Sequence, residues 1–294
     1  MREYESIYTG SNSDNLVSEE KLAKARTVQC AEWEHCGKSN VEYVLAYDVA
    51  RDEGAENAQS ALVAIKLTPK SNGFYKKEVV NIFLSEGTHD TVQAKFLKQK
   101  VKEFRPKILV VDANGVGSGV IDQLVLRLDD GEPPYSVVNN NEYDKYKQPD
   151  SVPLIFALKA QEKETKNSDM INRFMTMMNK IDVGLLVNEN EGLKAIEAKQ
   201  KKRIKDSEEI AKIQLPYLYT TTLIEQIMNL RYKMSGTLVG VERISNRIQK
   251  DIYSALLYGL FWTYLDEMKN QRRHMDTNID VSALFSYSRK PKIK

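Results

Sequence analysis

The sequence contains few of the residues on which thiol and imidazole chemistry depends. Its 294 residues include two cysteines and three histidines. That is too few for a disulfide framework, and it is typical of a protein kept in a reducing compartment. No hydrophobic run is long enough for a membrane span, and the N-terminus has no signal-peptide core. We therefore expect a soluble, intracellular protein whose chemistry does not use a cysteine or serine nucleophile.

Several ligand-binding motifs are also missing. No stretch matches a complete P-loop, so we expect no ATP hydrolysis by this chain. The turn 115–119 is not a dinucleotide-binding fingerprint, because Val120 stands where its third glycine would be. Cys30, His35 and Cys36 lack the spacing of a zinc site, and we regard zinc as improbable. The 43 basic and 41 acidic residues nearly balance, so only local clusters can indicate a polyanionic partner.

Two short hydrophobic runs end in an aspartate. Residues 43–48 read YVLAYD and residues 107–112 read KILVVD, and both have the near-continuous apolar pattern of strands buried on two faces. The second is followed by a glycine-rich stretch, for which a tight strand-to-helix turn is the simplest account. A charge at the end of a buried strand is costly unless something pairs with it. Asp48 and Asp112 are therefore candidates for one shared site.

The spacing of apolar residues and of turn signals predicts an α/β fold. Strands are predicted at 43–48, 60–67, 78–84, 107–112, 135–138 and, as an edge strand, 237–242. Helices are predicted at 90–103, 115–129, 167–181, 192–200, 224–234 and 248–268. The polar stretch 139–167 is predicted to connect the sheet to a helical part. Three strands in a meander, followed by alternating helices and strands, give a mixed central sheet with helices on its faces.

This topology places Asp48 and Asp112 next to each other. Right-handed crossovers make the strand 107–112 parallel to the strand 43–48, and adjacent parallel strands lie about 4.8 Å apart. Two carboxylates at that distance do not both stay ionised cheaply unless a cation bridges them. Oxygen ligands without histidine or thiolate favour Mg²⁺ or Mn²⁺. We therefore predict a metal site, although a single strand-end aspartate would more simply cap a turn.

The helix predicted at 248–268 offers a third carboxylate. Its middle has no charged residue, so most of its circumference must be buried. Asp251, at its start, lies on the buried side of the helix. Its negative charge is stabilised by the positive N-terminal end of the helix dipole. It is either a simple helix-terminal charge or a third member of the Asp48–Asp112 site. Asp266, at the other end, is expected in solvent.

One basic cluster stands out in the middle of the chain. It is called the basic run below, and it consists of Lys199, Lys201, Lys202, Arg203 and Lys205. Such a cluster is most often a solvated helix end, and contact with DNA phosphates is the alternative. Residues 269–294 form a second basic region, which is predicted to be a C-terminal tail.

Three stretches together resemble a known family. YVLAYDVA (43–50), ILVVDANGVGSGVIDQL (108–124) and QKDIYSALLYGLFW (249–262) resemble the nuclease domain of the terminase large subunit of tailed bacteriophages and prophages. The similarity covers 41–268, and REYESIYTG (2–10) resembles the segment that leaves the ATPase domain in that family. The resemblance implies an RNase H-like nuclease domain at 41–268. It also implies that 1–40 is a connector from an ATPase domain absent from this chain.

The resemblance also implies a function. That family cleaves concatemeric double-stranded DNA during genome packaging, with two divalent cations on an acidic triad that falls on Asp48, Asp112 and Asp251. The implied partners are DNA, the upstream ATPase domain, the portal and the small terminase subunit, and the implied location is the cytoplasm of the bacterial host. Two alternatives stay open. One is another RNase H-like nuclease, of the junction resolvase or transposase type, and the other is a non-catalytic module that docks DNA or portal.

Overall fold

The protein is described by a computed structural model for residues 14–49, 59–86, 89–128, 131–159 and 163–278. Its strands are β1 Arg26–Val28, β2 Glu42–Asp48, β3 Gln59–Pro69, β4 Tyr75–Glu86, β5 Ile108–Asp112, β6 Tyr135–Val137, β7 Val152–Leu158, β8 Val183–Leu186, β9 Leu230–Ser235 and β10 Leu238–Arg243. Its α-helices are α1 Glu19–Ala25, α2 Asp90–Phe104, α3 Val116–Leu124, α4 Glu164–Asn179, α5 Glu189–Gln200, α6 Ser207–Met228 and α7 Asp251–Asn278. Among these helices, none is long and apolar enough to cross a membrane.

Eight strands form one mixed sheet in the order β1-β8-β4-β3-β2-β5-β7-β6. The strand β3 is antiparallel to its neighbours β2 and β4, whereas every other pairing in this sheet is parallel. All strands except β3 therefore point the same way, and their last residues lie at one border, called the carboxyl edge below. The opposite border is the amino edge. A three-strand meander continued by parallel strands is the RNase H-like arrangement predicted from the sequence, and the predicted fold class is confirmed.

Helices cover both faces of this sheet. One apolar core joins α1, α4 and α7 to one face, and a second core joins α2, α3 and α5 to the other. The helix α6 contributes Tyr217 to the second core and Leu223 to the first, so it wraps around the β1 side of the sheet. In β2, Val44 belongs to the first core and Leu45 to the second. This burial on both faces is the reason for the continuous apolar pattern of that strand.

Several predicted elements differ from the structure. The predicted connector 139–167 contains β7, which lies between β5 and β6. The helix predicted at 224–234 in fact ends at Met228, and the chain continues as β9. The predicted edge strand 237–242 exists as β10, but it pairs with β9 in a separate two-stranded sheet. These errors share a cause, since a short strand and the end of a helix give similar local patterns.

The N-terminal segment, predicted to be a connector, is described from residue 14, and its role as a connector stays a prediction. From residue 14 onward it packs with the rest of the chain, and Leu16, Leu22 and Ala25 are buried in the first core. The strand β1 joins the main sheet beside β8. At the other end, α7 continues into the predicted basic tail as far as Asn278, and residues 279–294 lie outside the described residues. The residues 1–13, with the REYESIYTG stretch, also lie outside them.

Ion pairs hold the C-terminal half of α7 at the amino edge. The Lys77 ammonium, 1% exposed, lies 2.8 Å from Glu267 of α7 and 2.6 Å from Asp182. Lys107 lies 2.9 Å from Asp266. The expectation that Asp266 lies in solvent was wrong, because its side chain is 12% exposed and paired. The helix α7 is therefore fixed at the amino edge just past its midpoint, at Asp266 and Glu267.

Candidate metal centre

The last residues of β2 and β5 are neighbours at the carboxyl edge. The two strands pair in parallel from Val44 opposite Ile108 to Tyr47 opposite Val111. The next pair in this register is Asp48 and Asp112, on strands about 4.8 Å apart. The sequence prediction that these two strands are parallel partners is thus confirmed by the pairing.

The helix α7 brings Asp251 to the same edge. It lies across β2, β3 and β5 and begins at Asp251. The close approach of helix and sheet depends on Gly259, where a Cβ atom would lie 3.0 Å from the Ala46 Cβ and 2.6 Å from the Ile65 Cδ1. A larger residue would push the helix away from the strands and carry its first turn with it.

Asp48 experiences the electrostatic effect of both other aspartates. Burial raises the pKa of the Asp48 carboxyl well above its usual value, and repulsion by Asp112 and Asp251 raises it further. The positive charge of Lys250 and a hydrogen bond from Ser254 act in the opposite direction. The three aspartates therefore form one interacting group in which negative charge is poorly compensated.

Asp112 and Asp251 are each partly stabilised by neighbours. Burial raises the pKa of Asp112, and hydrogen bonds from Asn114 and from the Tyr258 hydroxyl oppose this rise. The Asn114 backbone N–H and side-chain amide lie 3.0 Å and 2.7 Å from the Asp112 Oδ1. Burial raises the pKa of Asp251 to about 6, against the opposing charges of Lys250 and Arg243. A carboxylate with such a pKa gains from a cation placed beside it.

The glycine-rich turn after β5 lets α3 start directly against Asp112. A Cβ atom on Gly117 would lie 1.5 Å from the Asp112 carbonyl oxygen, so no other residue fits there. Gly115 has a φ of +57°, which only glycine adopts easily. A tight strand-to-helix turn is confirmed, but it consists of residues 113–115, and Gly117 and Gly119 belong to α3.

The three aspartates alone do not amount to a preformed metal cage. Within the described ranges, no group of three or more His, Cys, Asp or Glu side chains is arranged to hold a metal ion. The donor chemistry of the three aspartates, oxygen alone, fits Mg²⁺ or Mn²⁺.

No family model and no curated protein matches the sequence. Among solved structures, the fold is similar to the large terminase nuclease of thermophilic phage G20c with bound magnesium (12% identity, 85% of this chain and 98% of that chain, TM-score 0.49). It is also similar to the human cytomegalovirus terminase nuclease domain (11%, 83% and 94%, 0.45) and to the HK97 bacteriophage large terminase (7%, 84% and 43%, 0.45). These are all terminase structures.

Sequence reasoning missed five side chains that act on the three aspartates: Asn114, Arg243, Lys250, Ser254 and Tyr258. All of them except Arg243 had a signal in their spacing from Asp112 or Asp251. Ser254 and Tyr258 follow Asp251 by three and seven residues, and this spacing places them on the same side of the helix. Lys250 immediately precedes Asp251, and Asn114 follows Asp112 by two residues, a spacing at which short polar side chains often meet.

The basic run lies at the other edge of the sheet. Lys199 lines a pocket together with Lys100 and Glu103, at the C-terminal end of α2. This end lies at the amino edge, where Glu103 and Tyr43 both contact the segment that follows β1. Along β2, Tyr43 is already about 17 Å from Asp48. The structure therefore does not bring the basic run and the aspartates together.

A Gly-Lys-Ser tripeptide, Gly37–Ser39, occurs in the segment between β1 and β2. It is not part of a P-loop, because Glu32 stands where the first glycine of that motif would be. A strand rather than a helix follows it, so no helix N-terminus points at the position of a phosphate.

Proposed function

We propose that this chain is a divalent-metal-dependent endonuclease that cleaves concatemeric double-stranded DNA during phage genome packaging, as the nuclease part of a terminase large subunit. The observation that supports the proposal is the electrostatic interaction of Asp48 with Asp112 and Asp251 at the carboxyl edge. They come from three separate elements, and their pKa values are raised by burial. Open α/β sheets bind their ligands at this edge.

The same three aspartates would hold two ions, Mg²⁺ or Mn²⁺. Bound there, such ions would activate water and stabilise the leaving oxygen of an in-line displacement at phosphorus. The protein would contribute the position of the carboxylates, with Asn114 and Tyr258 on Asp112 and Ser254 on Asp48. This chemistry requires no histidine base, in keeping with the low histidine content of the chain.

Cations near the aspartates would attract the DNA backbone. Lys250 and Arg243 both act electrostatically on Asp251, and Arg243 ends the hairpin β9–β10. A phosphate placed between these cations and the metal ions would be held by opposite charges on two sides. The predicted contact between DNA and the basic run stays a prediction, and it requires DNA that extends to the amino edge.

The cellular context of this activity rests on the resemblance to terminases. We propose that an ATPase domain of the same large subunit supplies the motor, with portal and small subunit as further partners in the cytoplasm of the host. The lack of a complete P-loop in this sequence supports this proposal, in which the ATPase domain hydrolyses ATP and this chain cleaves DNA.

A plasmid assay tests the proposal. Supercoiled DNA should be cut with Mn²⁺ or Mg²⁺ and stay intact in EDTA, and Asp48→Asn should abolish cutting. Asp122→Asn, an exposed aspartate of α3, is the matched control and should cut like wild type. Cleavage in EDTA would refute the metal mechanism. Cutting confined to four-way junctions would favour a resolvase, and binding without cutting in any metal would favour a docking module.

A further inference from the structure

A pocket of about 720 Å³ lies at the amino edge, away from the three aspartates. It opens between the segment after β1 and the C-terminal ends of α2 and α5. Its apolar lining includes Ala31 and Ile196, each 5% exposed, and Trp33, which is 38% exposed. A pocket of this size accommodates one or two large side chains or a small ligand.

The basic run borders this pocket through Lys199. All five of its cations are exposed, and none forms an ion pair with another residue in the described part of the chain. The run is nevertheless held in place. Ile204 in its middle is 4% exposed, and its N–H donates to the Glu197 carboxylate at 2.9 Å. The cations therefore project from a fixed backbone, which lowers the entropy cost of binding an anionic partner.

The pocket contains carboxylates, but two of them are already paired. Glu32 accepts hydrogen bonds from the Lys66 ammonium, at 2.6 Å, and from the Tyr43 hydroxyl. Glu103 lies 2.8 Å from Lys100. The third carboxylate, Glu34, is exposed, but the five cations of the basic run outnumber it, so the unpaired charge of pocket and run together is mostly positive.

We propose that the pocket and the basic run form a docking surface for an acidic polypeptide segment that carries an aromatic or large aliphatic side chain. The acidic residues would face the basic run, and the apolar side chain would enter the pocket beside Trp33. Charge complementarity alone would also suit DNA. However, duplex DNA keeps its bases stacked inside and offers no apolar group to this pocket. The pocket thus favours a polypeptide, and its distance from the aspartates separates docking from cleavage.

Fluorescence anisotropy with the full chain in EDTA tests this proposal without DNA cleavage. The probes are a labelled random copolymer of glutamate and tyrosine, poly-glutamate of equal length, and a 20-base-pair duplex. The copolymer should bind about tenfold more tightly than poly-glutamate, because an aromatic anchor in a pocket contributes strongly to affinity. Trp33→Ala should remove this difference. The double variant Lys201→Ala/Lys202→Ala should weaken both polymers several-fold, and more so at low salt.

Lys145→Ala/Lys147→Ala is the matched control, because it removes two exposed lysines that lie after β6. It should bind the copolymer like wild type. Equal affinity for the two polymers, no effect of Trp33→Ala, or equal losses in both lysine variants would overturn the proposal. The proposal would also be overturned if the duplex displaced the copolymer and bound less tightly to the Lys201→Ala/Lys202→Ala variant. That result would identify the surface as a DNA-binding surface. None of these outcomes depends on metal, so the proposed nuclease activity is tested separately.

Discussion

The replacement Asp251→Asn separates a metal ligand from a simple helix-terminal charge. Burial raises the pKa of Asp251 to about 6 from an ordinary 3.8. This difference corresponds to about 3 kcal/mol of destabilisation by the charged form at neutral pH, and partial solvent screening reduces it to about 1–2 kcal/mol. In EDTA at pH 7.5, Asp251→Asn should therefore be more stable than wild type by about 1–2 kcal/mol.

The pH dependence has a definite sign. Between pH 6 and pH 3.8 the folded protein binds a proton at Asp251 that the unfolded chain does not, so wild type regains this stability as the pH falls. The advantage of Asp251→Asn should be full above pH 6 and disappear near pH 4. Urea unfolding at several pH values in EDTA measures it.

Divalent metal should reverse the ranking of the two proteins. An ion that binds only the folded state adds about 2.7 kcal/mol when its free concentration is 100 times its Kd. Wild type should gain this stability from Mn²⁺, and Asp251→Asn should gain much less and lose cleavage. Asp206→Asn is the matched control, since Asp206 caps α6 by accepting from the Glu209 N–H and asparagine caps almost equally well. If Asp251→Asn behaves like this control in all three assays, Asp251 is not a metal ligand.

Further predictions concern the surroundings of the aspartates and the core. The purified chain should hydrolyse ATP no faster than a blank with or without DNA, and a DNA-stimulated rate would contradict the missing P-loop. Tyr258→Phe should weaken Mn²⁺ binding about tenfold in calorimetry by freeing Asp112, and unchanged affinity would remove Tyr258 from that role. Lys77→Met should cost about 3–5 kcal/mol in urea unfolding because it leaves Glu267 unpaired, and a cost under about 1 kcal/mol would refute this. Gly117→Ala should cost about 1–3 kcal/mol through overpacking, and wild-type stability would show that the turn can shift.

The sequence predicted the two strands that end in Asp48 and Asp112 better than the elements around them. These strands were placed side by side because a charge at the end of a buried strand is costly and parallel pairing follows from handedness. Helical periodicity put Asp251 on the buried side of its helix, and its role as a metal ligand stays a prediction. Each of these predictions used the apolar pattern of a single strand or helix, or the pairing of two neighbouring strands.

The missed parts depend on contacts between distant residues. The strand β7 includes Pro153 and begins with two exposed residues, so its pattern was not separated from the polar stretch before it. Asp266 looks like an exposed residue near the end of a long helix, and only the folded chain shows Lys107 beside it. The end of α5 at Gln200 was predicted, but the position of the basic run at the amino edge depends on how α5 packs against the sheet, which local sequence does not determine.

The ion pairs of α7 at the amino edge constrain the position of Asp251 at the carboxyl edge. Asp251 and Glu267 are sixteen residues apart, so about 24 Å of continuous helix joins them. Because Lys77 and Lys107 bind the helix at Glu267 and Asp266, the part of α7 between these residues and Asp251 acts as a rod whose axial position is set at the amino edge. A substitution at Lys107 would let this rod slide or rotate and move Asp251 relative to the strand ends. Metal affinity would then respond to a residue that touches no ligand.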